Sequence, residues 1–122
     1  MKVALIGAGN MAIEYAKVLN DLKIDFSLFG RNDAKAVNFK NYLPDENMFC
    51  GGLEKNKARL TDFTHAIIAS NVNNLASNCI TVIESGVQNI LVEKPGIATP
   101  EEFKLIKEKS KGISSKIFIA YN

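Results

Sequence analysis

Short unbroken apolar runs recur along this chain, and stretches with one-face helical spacing separate them. Val3-Ala4-Leu5-Ile6 is the first run. It is continuous instead of alternating with polar residues, which marks a strand covered on both faces. Beyond Gly7-Ala8-Gly9, residues Ala12, Tyr15, Ala16 and Leu19 fall at i, i+3, i+4 and i+7, the apolar stripe of a helix. Phe26-Ser27-Leu28-Phe29, closed by Gly30, reads as a second strand. Residues 34–42 suit a short helix ended by Pro44. Met48-Phe49-Cys50 is a weak third strand before the Gly51-Gly52 turn, and residues 53–63 read only as a polar connection. His65-Ala66-Ile67-Ile68-Ala69 is a fourth strand. The helix after it carries Ala76, Cys79, Ile80 and Ile83 on one face and stops at Gly86, suited to a left-handed cap.

Residues 89–92 give a fifth strand. Thr99-Pro100-Glu101-Glu102 then opens a helix, with Thr99 as cap, Pro100 in the first turn and Glu102 completing a capping box. Lys107, Lys109 and Lys111 gather at its other end, where the helix dipole is negative. Residues 116–122 form a sixth strand. Apolar strands alternating with amphipathic helices imply an α/β fold. The expectation is a Rossmann-type doubly wound parallel sheet of about six strands, order 3-2-1-4-5-6, with helices on both faces.

At 122 residues the chain forms one domain, residues 1–122, with 47% hydrophobic and 23% charged residues. A net charge of +2 and scattered Lys and Arg residues give no footprint for nucleic acid or a membrane surface. No apolar run approaches the roughly 18 residues of a transmembrane helix. The start resembles a signal peptide until Gly7, Gly9 and Asn10 interrupt it. Cys50 and Cys79 have no metal-ligand spacing and read as plain buried thiols, so no metal is expected and a reducing cytoplasm is the default.

Gly7-Ala8-Gly9-Asn10-Met11-Ala12 is a G-x-G-x-x-A sequence that follows the first strand and opens the first helix. Gly7 permits the tight turn, Gly9 lets backbone approach a pyrophosphate without a Cβ in the way, and Ala12 allows close helix–strand packing. The free N–H groups of the helix start, at Asn10 and Met11, then face the phosphates. The plainer reading is a structural turn. At the end of the second strand an acid would accept hydrogen bonds from the ribose of NAD. Gly30 stands there instead, followed by Arg31 and Asn32. A guanidinium pairs with a 2′-phosphate and stacks on adenine. NADP is therefore favoured over NAD; the alternative lets Asp33 bind the ribose after a register shift.

Ligands of doubly wound sheets bind outside the carboxyl ends of the strands. Glu93 and Lys94 stand at that end of the fifth strand, beside Ser70 and Asn71 from the fourth. A lysine there can give or take a proton, with Glu93 orienting it or hydrogen-bonding the cofactor ribose, and Pro95 could hold a cis bond that aims Lys94. Read blandly, Glu93-Lys94-Pro95 is a polar turn. His65 begins its strand at the opposite end of the sheet and reads as structural.

Across essentially the whole chain the sequence resembles the N-terminal domain of the glucose–fructose oxidoreductase, inositol dehydrogenase and rhizopine-catabolism family, Gfo/Idh/MocA. The matching pieces are residues 3–9, 66–70, Glu84-Ser85-Gly86, Val92-Glu93-Lys94-Pro95-Gly96, Thr99-Pro100-Glu101-Glu102 and Ala120-Tyr121-Asn122. The resemblance implies Lys94 in proton transfer and substrate positioning, Glu93 near the nicotinamide ribose, and Asn122 among the cofactor contacts. It departs where the family often carries Thr-Pro and a histidine: here Ser70-Asn71 and Leu75 stand instead. It further implies a second domain after the sixth strand, supplying most of the substrate pocket and the oligomer interface. That domain is absent, so the chain is expected to be a truncated dinucleotide-binding domain that binds cofactor without turnover. The implied parent transfers hydride between NADP or NAD and a sugar, sugar-nucleotide or cyclitol hydroxyl or ketone. The competing expectation is a non-catalytic NAD(P)-sensing or regulatory module, with a Rossmann-type methyltransferase a distant third.

Overall fold

The computed structural model describes residues 1–94 and 99–120. Among these residues six strands form one parallel sheet: β1 (Lys2–Ile6), β2 (Asp25–Phe29), β3 (Met48–Phe49), β4 (His65–Ile68), β5 (Asn89–Glu93) and β6 (Lys116–Ala120), in the order β3-β2-β1-β4-β5-β6. This is the expected doubly wound order. Among the described residues five α-helices connect the strands: α1 (Asn10–Asp21), α2 (Asp33–Ala36), α3 (Leu53–Asn56), α4 (Val72–Glu84) and α5 (Pro100–Ser110).

Period-two alternation along β1 divides the core. Val3 and Leu5 pack with Ala12, Ala16 and Leu19 of α1, and with Phe26, Leu28 and Phe39. Ala4 and Ile6 point the other way, into a cluster with Ala76, Cys79 and Ile83 of α4 and Ile106 of α5. Helices therefore cover both faces, but unevenly. On the α1 side, beyond β4, the strand residues lose their cover, and Phe118 in β6 is 55% exposed.

Two connections differ from the sequence reading. The helix expected over 34–42 is one turn of α2 followed by a 3-10 turn at Val37–Phe39. Two apolar anchors, Ala36 and Phe39, turn inward while Val37 stays exposed, so the segment follows the sheet instead of running on as a regular helix. Residues 53–63, expected to be a polar connection, form α3 and a 3-10 helix at Lys57–Asp62. Leu53, Leu60 and Phe63 are buried beside Phe29 and Ala66. Three apolar residues spaced seven and three apart carry little periodic signal in eleven positions, and only the fold reveals them as a cap over the sheet.

The other expected devices are present. Gly86 takes φ +85° after α4, and the Thr99 hydroxyl accepts the Glu102 amide at 3.1 Å to start α5. The reciprocal half of the capping box differs: the Thr99 hydroxyl also meets the Glu102 carboxylate at 3.3 Å. No helix among the described residues is long and apolar enough to cross a membrane.

Register fixes the working end of the sheet. Phe49, Phe29, Ile6, Ile68, Val92 and Ile119 form one row across all six strands. Just past this row the Gly7 amide donates to Phe29, the Gly30 amide to Phe49 and the Ala69 amide to Ile6. Three loops and the end of β5 thus leave the sheet at one level.

Candidate functional site

A cavity of about 820 Å³ opens along this level. Gly7, Gly9, Asn10 and Met11 line it from the β1–α1 turn, Arg31 and Asn32 from the end of β2, Ser70 and Asn71 from the end of β4, and Glu93 and Lys94 from the end of β5. Ten residues singled out in the sequence therefore share one space. Ala12 does not line it. Fully buried behind the turn, it lets α1 sit close to the sheet. Asn122 and Pro95 lie outside the described residues.

The two glycines of the turn differ in kind. Gly7 has φ +114°, and a Cβ there would stand 2.5 Å from the Ala69 carbonyl oxygen. Glycine is required at this position by the fold itself, because the β1 and β4 loops touch. Gly9 has an ordinary φ of −88°, and a Cβ would meet nothing within 4 Å. The space it would enter is the cavity. Helix α1 begins there with Gly9 as its cap and no side-chain cap, the Ile13 amide being the first to reach back to the Gly9 carbonyl. The amides ahead of it are free to meet a ligand. Helix α4 likewise starts at the cavity, with Asn71 as a cap that makes no side-chain hydrogen bond. Two uncapped helix starts favour negative charge in this space. A cradle that a Cβ would fill, beneath uncapped amides, fits a dinucleotide pyrophosphate.

At the β2 end Arg31 is exposed. Lys35, one turn along α2, lines the same end, as does Glu54. Glu54 is engaged by Lys57, which offsets its charge. Asp33, the alternative ribose ligand, is not a lining residue; its carboxylate lies by the Cys50 thiol, whose pKa is raised by burial and then by that contact. The sequence reading missed Lys35, because a lysine on a four-residue helix is indistinguishable from a solvated one until β2 and the 50s loop close around it.

At the β5 end Glu93 is half-buried and Lys94 is exposed. The Tyr15 hydroxyl of α1 donates to Glu93 Oε2 at 2.5 Å. Burial, this bond and the carboxylate's charge push the phenol's pKa up to about 12. In sequence, Tyr15 is one member of an apolar stripe. The signal that could have separated it is its hydroxyl, which a core-facing tyrosine must satisfy somewhere. Behind the β4 loop, Asn78 of α4 donates to Ser70 Oγ at 3.0 Å. Leu75 is buried in the core and does not reach the cavity.

His65 starts β4 in register with Val3 and Asn89, far from this rim, and its Nδ1 lies 2.8 Å from the Thr64 hydroxyl. Cys50 and Cys79 are free thiols, Cys79 buried and Cys50 partly exposed. Among the described residues no cluster of three or more His, Cys, Asp or Glu could hold a metal ion.

No family model matches the sequence, and no curated protein matches it either. Solved structures do match. A Gfo/Idh/MocA family oxidoreductase from Vibrio cholerae superposes with a TM-score of 0.83 at 18% identity, covering 99% of this chain and 38% of that one. The WlbA dehydrogenase from Chromobacterium violaceum, in complex with NADH and UDP-GlcNAcA, gives 0.80 at 17% identity, covering 98% and 34%. Biliverdin reductase from Synechocystis, in complex with biliverdin and NADP+, gives 0.76 at 15%, covering 97% and 37%. The chain spans little more than a third of the length of each. It has the Rossmann fold of these oxidoreductases, those of the Gfo/Idh/MocA family included.

Proposed function

We propose that this chain is the NAD(P)-binding domain of an oxidoreductase, and that a further domain of the parent protein supplies most of the substrate pocket. One observation carries the reading: a single cavity joins the Gly9 cradle and the uncapped start of α1 to Glu93 and Lys94. A pyrophosphate site at one corner and an acid–amine pair at the other are the two ends a nicotinamide dinucleotide needs.

In this reading the amides at the start of α1 hold the pyrophosphate and Glu93 hydrogen-bonds the nicotinamide-side ribose. The bound nicotinamide would supply the hydride acceptor or donor. Lys94 takes the proton from a substrate hydroxyl as it becomes a ketone, or returns it in reduction. Sugars, sugar nucleotides and cyclitols are the substrate class, supported by the resemblance in sequence and by a structural neighbour bound to a sugar nucleotide. Arg31 favours NADP over NAD, and Lys35 adds a second cation at the same end of the cavity. The opposite preference would require an acid facing the adenosine ribose, where Gly30 stands.

Titration of the chain with NADPH and with NADH, followed by calorimetry and thermal unfolding, tests this. Ligand at ~100 times its dissociation constant stabilises the fold by roughly 2.7 kcal/mol. NADPH should bind more tightly, and Arg31→Ala should erase the difference. If neither nucleotide binds, the reading falls. If both bind equally to the wild-type chain, the NADP preference alone falls.

A further inference from the structure

We propose that Tyr15 is a positioning residue for the nicotinamide half of the site: its hydroxyl holds Oε2 of Glu93, leaving Oε1 to the ligand. The proposal rests on the dinucleotide reading above and deepens it.

Strand parity brings the two side chains together. Val92 points into the core on the α4 side, so Glu93, the next residue of β5, points to the α1 side. Helix α1 covers β1 and β2, and its Ala12, Ala16 and Leu19 are buried against them. Tyr15 lies on the same stripe, yet it is only half-buried. From there it spans toward β5, 78 residues away in sequence, to reach the carboxylate at 2.5 Å.

Glu93 lines the cavity and Tyr15 does not. The phenol therefore engages one oxygen of a carboxylate whose residue also lines the ligand space. A glutamate at a strand end has three rotatable bonds, and an ordering contact on one oxygen removes most of that freedom before a ligand arrives. The same helix α1 presents its first amides to the pyrophosphate site and Tyr15, just over a turn later, to Glu93. One rigid element thus sets the spacing between the two ends of the ligand.

The test compares ADP, which lacks the second ribose, with ADP-ribose, NADH and NADPH on four full-length chains: wild type, Tyr15→Phe, Glu93→Ala and the double variant. Tyr15→Phe keeps the ring and its packing. It should weaken ADP-ribose and both dinucleotides roughly tenfold, the scale of one hydrogen bond to a charged group, and leave ADP unchanged. In the Glu93→Ala background it should have no further effect. A merely structural role would weaken ADP as much as ADP-ribose, and that result overturns the proposal. So does a Tyr15→Phe variant that binds all four ligands like wild type, while the dinucleotide reading survives. A wild-type chain that binds none of them removes that reading and this one with it. Phenolate absorbance gives a readout independent of ligand: the wild-type minus Tyr15→Phe difference should titrate at about 12, and Glu93→Gln should move it down toward 10. Titration near 10 in the wild-type chain overturns the proposal.

Discussion

The two corners of the cavity are built from different materials. The β1–α1 corner is backbone: two glycines, a buried alanine and the first amides of a helix. The β5 corner is side chain: Glu93 held by Tyr15, with Lys94 beside it. Backbone geometry is dictated by a few contiguous residues, so the first corner is written within six positions. The second corner needs a residue 78 positions away, and it exists only after the sheet has formed.

The contrast predicts how each corner breaks. Gly7→Ala should do the most damage, costing the fold upward of about 2 kcal/mol, because it forces a positive φ on alanine. It also drives Cβ to 2.5 Å from the Ala69 carbonyl oxygen. Urea unfolding without ligand reads this; a loss below about 0.5 kcal/mol would show that the β1 and β4 loops do not touch as described.

Gly9→Ala separates fold from ligand. Its backbone is one that alanine adopts, so stability should stay within about 1 kcal/mol of wild type. Dinucleotide affinity should fall at least about tenfold, or 1.4 kcal/mol. Undiminished NADPH binding by this variant would move the pyrophosphate away from the cradle.

Beyond β5, Thr99→Ala removes the hydroxyl that caps α5 and should cost about 1 kcal/mol in chemical denaturation, without changing ADP affinity. The smallest effect is expected at alkaline pH. Tyr15 titrates in the fold at about 12, against an ordinary 10. Its contribution to stability is then complete below pH 10 and is lost as pH rises through 12. Tyr15→Phe should flatten the stability–pH profile in that window only, and an unchanged profile would mean the bond to Glu93 does not persist in solution.

Much of the molecule could be read without coordinates. The existence of the strands along the chain, the helix after the glycine turn, the Gly86 stop and the Thr99 cap all rest on patterns within a few residues of each other. What resisted reading was α3 and the turn after it. There Leu53, Leu60 and Phe63 gain their meaning from the sheet they cover, Phe29 above all, which is distant in sequence. Lys35 resisted for the same reason, since a solvated lysine and one beside a cavity are spelled alike.

Sequence alone determined that the chain alternates strand and helix, and that a glycine turn followed by a helix stands at its start. Those features depend on periodicity, propensity and steric freedom, which are local. Tertiary structure decided the register that brings Ile6, Phe29, Ile68 and Val92 into one row. That row places the glycine turn, Arg31, Asn71 and Lys94 around one cavity. It also decided that Gly7 answers to the Ala69 backbone and Gly9 to open space, and that Tyr15 answers to Glu93. Each of these is a contact between segments whose separation along the chain carries no information about their separation in space.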